Sequence, residues 1–428
     1  MKTHENLKEG IMQVKGVRLY GVDDIRLEEF ELPEIKEDEV LLKVMSDSIC
    51  MSTWKEVKLG SGHIRVPDDI AERPVIIGHE FSGVIEQVGE KWADEYKVGE
   101  RFVVLPGIPD QMGAPGYSYE HFGGAVTYCI VPNDVIEKGC LLHYDGDAFY
   151  EVSVSEPMYC IIGGYMANYH TKPETHEHFI GAKAGGNIAI LGGCGPMGLG
   201  AISYALAMEN KPKTVVVTEI NDDRINRARE VISEEDAKAR GVELHYVNTA
   251  KMDDEVKELM DLTGGEGYHD VFVYAPVKAI AETGNKILAF DGCMNLFAGP
   301  SDSEFSADMN LYDCHYRNTK LLGSSGGIKA DLLEALDLIA KKEVNPAVMI
   351  THVGGIDAIV DTTLHLPEIP GGKKLTYTQF DMPLTAIEDF RKLGETDPLF
   401  AKLADACDKN QGLWNKEAEE ILLDHFGV

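Results

Sequence analysis

The chain has 428 residues, more than one hydrophobic core usually supports, so two domains are expected. Its 44% hydrophobic and 26% charged residues are those of a folded globular protein and exclude extensive disorder. Forty Lys and Arg against 72 Asp and Glu leave a formal charge of −32, a field that repels nucleic acid and anionic membranes.

The start, Met1 to Gly10, is polar and carries no apolar signal core. Gln13 to Leu32 reads as strand and turn pieces, and Val40 to Val44 as a short strand. Val75 to Val88 and Arg101 to Leu105 continue the β-rich region, and Pro132 ends a weakly alternating run from Val126 to Val131. Many short strands with Gly and Pro turns predict an irregular β-barrel-like domain.

Near residue 156 the rhythm changes. Strand-length apolar runs then alternate with helical patterns: strand Asn187 to Leu191, helix Leu199 to Met208, strand Thr214 to Ile220, helix Asp222 to Ile232. Further strands are expected at Leu244 to Val247, Asp270 to Tyr274, Met294 to Phe297 and Thr319 to Gly323. This βαβ order predicts a doubly wound parallel sheet. The uncharged run Ile188 to Met208 could pass for a membrane span, but its glycines and Pro196 read as strand, turn and buried helix. Beyond Gly327 come a helix, Ala330 to Lys341, and a strand, Met349 to Val353. Leu384 to Phe426 shows helical spacing. The domains are therefore placed at residues 1–158 with 328–428, and at 159–327.

Eight cysteines are scattered without a C-x-x-C pair, which argues against a disulfide framework and points to a reducing cytoplasm. One of them, Cys50, lies upstream of Gly78-His79-Glu80-Phe81-Ser82-Gly83-Val84-Ile85. A thiolate and an imidazole suit zinc, which in a catalytic site keeps one position open. Downstream, strand Asn187 to Leu191 runs into Gly193-x-Gly195-Pro196-Met197-Gly198. The first glycine permits a tight turn, the second a close approach to a pyrophosphate, and the third close helix–strand packing. Glu219, ending the next strand, can bind both ribose hydroxyls and repels a 2′-phosphate, which favours NAD(H) over NADP(H). Arg224 follows within reach of the adenosine end.

Taken together, Gly78-His79-Glu80-Phe81-Ser82-Gly83-Val84-Ile85-x-x-Val88-Gly89, Cys50-x-Ser52 and the glycine turn resemble the medium-chain zinc-dependent dehydrogenases/reductases, over roughly residues 12 to 375. The resemblance implies a GroES-like catalytic domain beside a Rossmann domain, with the helical C-terminus as an extension. It implies one catalytic zinc held by Cys50, His79 and Glu156, the last from the Glu-Pro form of the polyol-dehydrogenase branch that includes sorbitol dehydrogenases. Glu80 would sit beside the metal and enter or leave its shell, and Ser52 would pass the substrate proton outward. Zinc would act as Lewis acid while the nicotinamide exchanges a hydride. Ala275-Pro276, Ala298-Gly299 and Ser324-Ser325 would lie near that ring.

Two departures stand out. Thr53 occupies a position where many members carry an Asp that supports the ligand His, and the segment that often holds four structural cysteines, here Gly116 to Ala125, has none, so no structural zinc is expected. Cys50-Met51-Ser52-Thr53-Trp54-Lys55, Tyr117-Ser118-Tyr119 and the helical C-terminus are similar to the L-sorbose-1-phosphate reductase type, which would add a phosphate to a polyol or ketose substrate. Lys55, Lys58 and Arg65 are candidate phosphate partners by position. A simple alcohol dehydrogenase and a zinc-free, non-catalytic dinucleotide-binding protein are the competing readings. The family resemblance implies a homodimer or homotetramer.

Overall fold

The computed structural model describes residues 7–8, 11–300 and 302–428. The polar start therefore lies outside the described residues except for 7–8. Two compact units emerge, one of residues 1–156 with 350–428 and one of residues 157–349. The expected boundary at residue 328 moves to 350. The physical reason is packing of the helix Lys329–Ala340, whose Glu334 accepts from Tyr204 of the second unit at 2.8 Å.

The first unit is β-rich. Strands Ile11–Gly21 and Asp24–Leu32 form an antiparallel hairpin, with Val75–Ile76 on the other edge of Ile11–Gly21. The larger sheet has Val40–Ile49 at its centre, between Lys373–Tyr377 and Phe81–Val88, both antiparallel to it. Arg101–Val104 and Leu141–His143 extend one side, and Ile350–Gly355 and Thr385–Ala386 extend the other. The chain thus returns after its second unit to complete the first sheet.

Leu384 was expected to open a helical stretch. Instead Thr385–Ala386 pairs with the strand Ile350–Gly355, and the helices follow at Phe390–Leu393, Pro398–Asp408 and Lys416–Phe426. Trp414, Phe390, Leu403 and Leu422 are fully buried among them. Burying each such aliphatic or Phe side chain stabilises by roughly 1.5–3 kcal/mol.

The second unit is a six-stranded parallel sheet. Its strands are β1 (Asn187–Leu191), β2 (Thr214–Glu219), β3 (Glu243–Asn248), β4 (Tyr268–Val273), β5 (Leu288–Leu296) and β6 (Lys320–Gly323), in the order β3-β2-β1-β4-β5-β6. All residues of β1, β2 and β4 are buried, as expected of parallel strands covered on both faces. The order reverses beside β1, which creates a switch point at the carboxyl ends of the strands. The run Ile188 to Met208 is β1, a turn and the helix Pro196–Ala207; among the described residues no helix is long and apolar enough to cross a membrane.

Candidate active site

Three neighbouring strands of the first unit bring the site together. Lys374 pairs with Ile49, so Lys373 falls opposite Cys50, just past the strand end. Asp47 pairs with Phe81, and Ser48 N–H donates to the Glu80 carbonyl at 3.1 Å, so Glu80 enters from the other side. Cys50 then caps the helix Met51–Leu59, whose N-terminal dipole favours negative charge at the thiol. Gly78 makes the turn before His79. Its φ is +90°, and a Cβ there would lie 2.2 Å from Asp47 Oδ2.

Donor atoms of Cys50, His79 and Glu80 lie within 4.8 Å of one another. His79 and Glu80 are buried. Each ring nitrogen of His79 meets a hydroxyl: Ser52 Oγ stands 3.2 Å from Nε2, and Thr53 Oγ1 3.4 Å from Nδ1. Thr53 thus supports the ring from its Nδ1 side. Tyr117 packs its ring on His79 with centroids 5.0 Å apart.

Glu156 opens the helix Ser155–Ala167 at the last residue of the first unit. Burial pushes its carboxyl up to about 8, and Glu80 pushes in the same direction while His79 opposes. Burial likewise raises the Cys50 thiol, against the pull of Lys373. Glu156 is therefore close to the Cys50–His79–Glu80 group, although the tight three-donor group contains Glu80 and not Glu156. The segment before it is fixed by hydroxyls. Ser153 bonds Ser46 at 2.7 Å, Ser46 meets Ser82 at 3.0 Å, and Ser82 donates to the Phe149 carbonyl at 2.9 Å.

Three participants escaped the sequence reading. Lys373, buried, donates to Glu80 Oε1. Asp47, also buried, accepts from Glu80 N–H at 3.2 Å, and burial raises its carboxyl to about 7 against the opposing charge of His79. Glu56 is fully buried with neither oxygen hydrogen-bonded, and burial holds its carboxyl far above the usual range. No local pattern marks them; the only hint is the paired Lys373-Lys374 heading an apolar strand.

A divalent cation suits this donor set. Thiol, imidazole and carboxylate are zinc ligands, and a single buried lysine faces Cys50, Glu80 and Glu156. The buried Glu80 Oε2 has no hydrogen-bond partner, the signature of a group built to bind something else.

In the second unit the predicted nucleotide residues share one sheet edge. The turn after β1 is tied to β2 by Gly193 N–H to the Thr218 carbonyl at 2.9 Å. Gly195 caps the helix Pro196–Ala207, with Pro196 and Met197 in its first turn. A Cβ on Gly195 would meet nothing within 4 Å, whereas one on Gly198 would stand 2.1 Å from the Gly193 carbonyl oxygen. The first is open backbone at a helix N-terminus and the second is close packing. Glu219 ends β2, buried; its Oε1 accepts from Ile220 N–H at 2.9 Å, and Arg224 Nη1 stands 3.8 Å from its Oε2. Ala275-Pro276, Ala298-Gly299 and Ser324-Ser325 follow β4, β5 and β6 at the same edge. Ser324 donates to Asn295 Oδ1 at 3.1 Å, and Ala298 N–H to the Val273 carbonyl at 3.0 Å.

Comparison with known proteins agrees with both halves. Residues 36–140 match the family "Alcohol dehydrogenase GroES-like domain" and residues 196–341 the family "Zinc-binding dehydrogenase". The chain is 48% identical over 418 residues to mannitol-1-phosphate 5-dehydrogenase of Aliivibrio fischeri, covering 97% of this chain and 99% of that protein. It is 42% identical over 411 residues to L-sorbose 1-phosphate reductase of Klebsiella pneumoniae, covering 96% and 97%. In fold it is similar to the crystal structure of 2R,3R-butanediol dehydrogenase from Bacillus subtilis, with a TM-score of 0.69 at 24% identity, covering 86% of this chain and 100% of that one. With a GroES-like half, a Rossmann half and relatives matched over almost its whole length, the chain belongs to the medium-chain zinc-type alcohol dehydrogenase family.

Proposed function

We propose that this protein interconverts a polyol phosphate and the corresponding ketose phosphate, with zinc and NAD(H). The observation that carries the reading is the Cys50–His79–Glu80 donor group with its orphaned carboxylate oxygen, in a chain two of whose full-length relatives are named for sugar phosphates. Cys50, His79 and Glu156 would hold the metal, with Glu80 at its side. When bound, zinc supplies Lewis acidity at the reacting carbon–oxygen bond and NAD(H) supplies the hydride chemistry.

The protein's own groups do the rest. Lys373 Nζ and Asp47 fix the Glu80 side chain and backbone. Thr53 holds the His79 ring by Nδ1. Ser52 Oγ, 3.2 Å from His79 Nε2, is the hydroxyl that can take the substrate proton and hand it outward. The backbone N–H groups of Gly195, Met197 and Gly198 would meet a pyrophosphate, and Glu219 the ribose hydroxyls. Asp223, in the first turn of the helix after β2, adds further negative charge against a 2′-phosphate, which supports NAD(H). A homodimer or homotetramer in the cytoplasm completes the reading, in keeping with eight free cysteines.

The test is NADH oxidation with L-sorbose 1-phosphate, alongside metal analysis of the purified protein. About one zinc per chain and chelator-sensitive turnover are expected, and Cys50→Ser should lose both while still binding NADH. Full turnover by Cys50→Ser would remove the metal role. Turnover with simple alcohols but no sugar or sugar phosphate would favour the plain alcohol dehydrogenase.

A further inference from the structure

Three cations near the site were candidates for a phosphate by position, and the structure separates them. Lys58 is paired with Asp23 at 2.7 Å and lies over the Trp54 ring. Lys55 is not free. The Arg65 guanidinium has no hydrogen bond or carboxylate partner among the described residues, in a chain that carries 72 acidic side chains. It sits over the ring of Tyr117, its Cζ 5.6 Å from the centroid.

Tyr117 connects this cation to the metal cluster. The ring is 4% exposed. His79 packs against it at 5.0 Å and His63 stacks on it at 5.3 Å, with an interplanar angle of 16°. The strip is held in place: Ser118 donates to the Arg65 carbonyl at 2.6 Å and accepts from Ala114 N–H at 3.0 Å, and Arg65 N–H donates to His63 Nδ1 at 3.2 Å. Two ring contacts therefore span the way from His79 to the guanidinium, a separation that an extended sugar phosphate bridges. The guanidinium fork matches phosphate oxygens, and its rigid seat on an aromatic face lowers the entropy lost on binding. With a formal charge of −32 on the chain, a phosphate dianion needs such a local cation.

We propose that Arg65, seated on Tyr117 with His63 beside it, is the phosphate-recognition subsite and sets specificity for a phosphate monoester at the substrate end remote from the reacting carbon. The inference rests on the sugar-phosphate reading above and gives it an address. It makes Arg65 a specificity residue.

The experiment compares kcat/KM for oxidation of D-mannitol 1-phosphate, whose phosphate lies at the far end from C5, with that for D-mannitol in the wild type, Arg65→Gln and Arg65→Lys, and measures inhibition by inorganic phosphate. Arg65 is exposed, so both variants should fold. The wild type should prefer the phosphorylated substrate. Arg65→Gln should lower that preference on the order of tenfold to a hundredfold, mainly through KM, and weaken inhibition by phosphate. Arg65→Lys should recover part of it. If the wild type prefers the phosphate ester and Arg65→Gln keeps the preference, or Lys58→Gln abolishes it instead, the subsite is wrong and the sugar-phosphate reading stands. If the wild type turns over D-mannitol and other unphosphorylated polyols without any preference for phosphate esters, the reading and the subsite fall together.

Discussion

Glu419→Gln should flatten the pH dependence of stability of the first unit. Glu419 lies on the C-terminal helix Lys416–Phe426, 2% exposed. Its carboxylate accepts from Phe149 N–H at 2.6 Å, Tyr150 N–H at 2.8 Å and Tyr377 Oη at 2.8 Å, and so ties the C-terminal extension to the segment leading to Glu156. Burial outweighs these donors and raises the carboxyl from 4.5 to about 7. The unfolded chain ionises first as pH rises, so the folded state binds more protons between those two values. Stability from this group is complete below pH 4.5 and is lost as pH rises to about 7, where the loss levels off. At 1.36 kcal/mol per pH unit the total is about 3 kcal/mol.

Asp47, Glu56 and Glu156 are raised in the same direction, but they are common to wild type and variant and cancel in the difference. The chain's three tryptophans, Trp54, Trp92 and Trp414, all fall in the first unit, and Trp414 donates to Tyr377 Oη at 3.0 Å, one bond from Glu419. Urea unfolding followed by tryptophan fluorescence at about pH 5 and about pH 8 therefore reads this unit. Wild type should lose about 2.5 kcal/mol more than Glu419→Gln across that interval, because part of the total is already lost at pH 5. Parallel profiles, or a wild type that gains stability relative to the variant, would refute the argument.

Glu219→Gln should weaken NADH binding by roughly tenfold or more, since a charge-assisted bond is worth about 1.5–3 kcal/mol, and should narrow the gap to NADPH; fluorescence titration with both nucleotides reads this, and unchanged affinities would place the ribose elsewhere. Thr53→Val removes the hydroxyl at His79 Nδ1 and should cost about 10–100-fold in zinc affinity, measured by competition with a chelating dye. A Thr53→Val protein with wild-type affinity would mean that His79 is oriented by other contacts. Gly78→Ala forces a side chain into a left-handed turn against Asp47 and should destabilise by roughly 2 kcal/mol or more, visible as a lower Tm and lost zinc; an unchanged Tm would show that the turn relaxes freely.

The Rossmann half was legible because parallel strands buried on both faces are written as apolar runs. Asn187 to Leu191 and its glycine turn needed no distant information. The His79-Glu80 pair at the head of Phe81–Val88 was equally local. The helix Met51–Leu59, which carries Ser52 and Thr53, was not read as one. It buries Thr53 and Glu56 and leaves Met51 and Leu59 exposed, so apolar spacing does not mark it. Sequence reasoning also took Leu384 onward as helical, because short-range spacing cannot show that Thr385–Ala386 completes the edge of a sheet.

From the chain alone followed Cys50 and His79 as candidate donors, the glycine turn with its acid as a candidate nucleotide site, and the two-domain order, because each is a local match between residue type and backbone geometry. Tertiary structure alone decided that Lys373 neutralises Glu80, that Glu419 braces the segment before Glu156, and that Arg65, of the three candidate phosphate partners, has no carboxylate beside it among the described residues. Those facts depend on strands and helices separated by hundreds of residues meeting in one sheet and its cover. Burial, which only the folded chain defines, turns ordinary lysines and glutamates into groups that must find a partner.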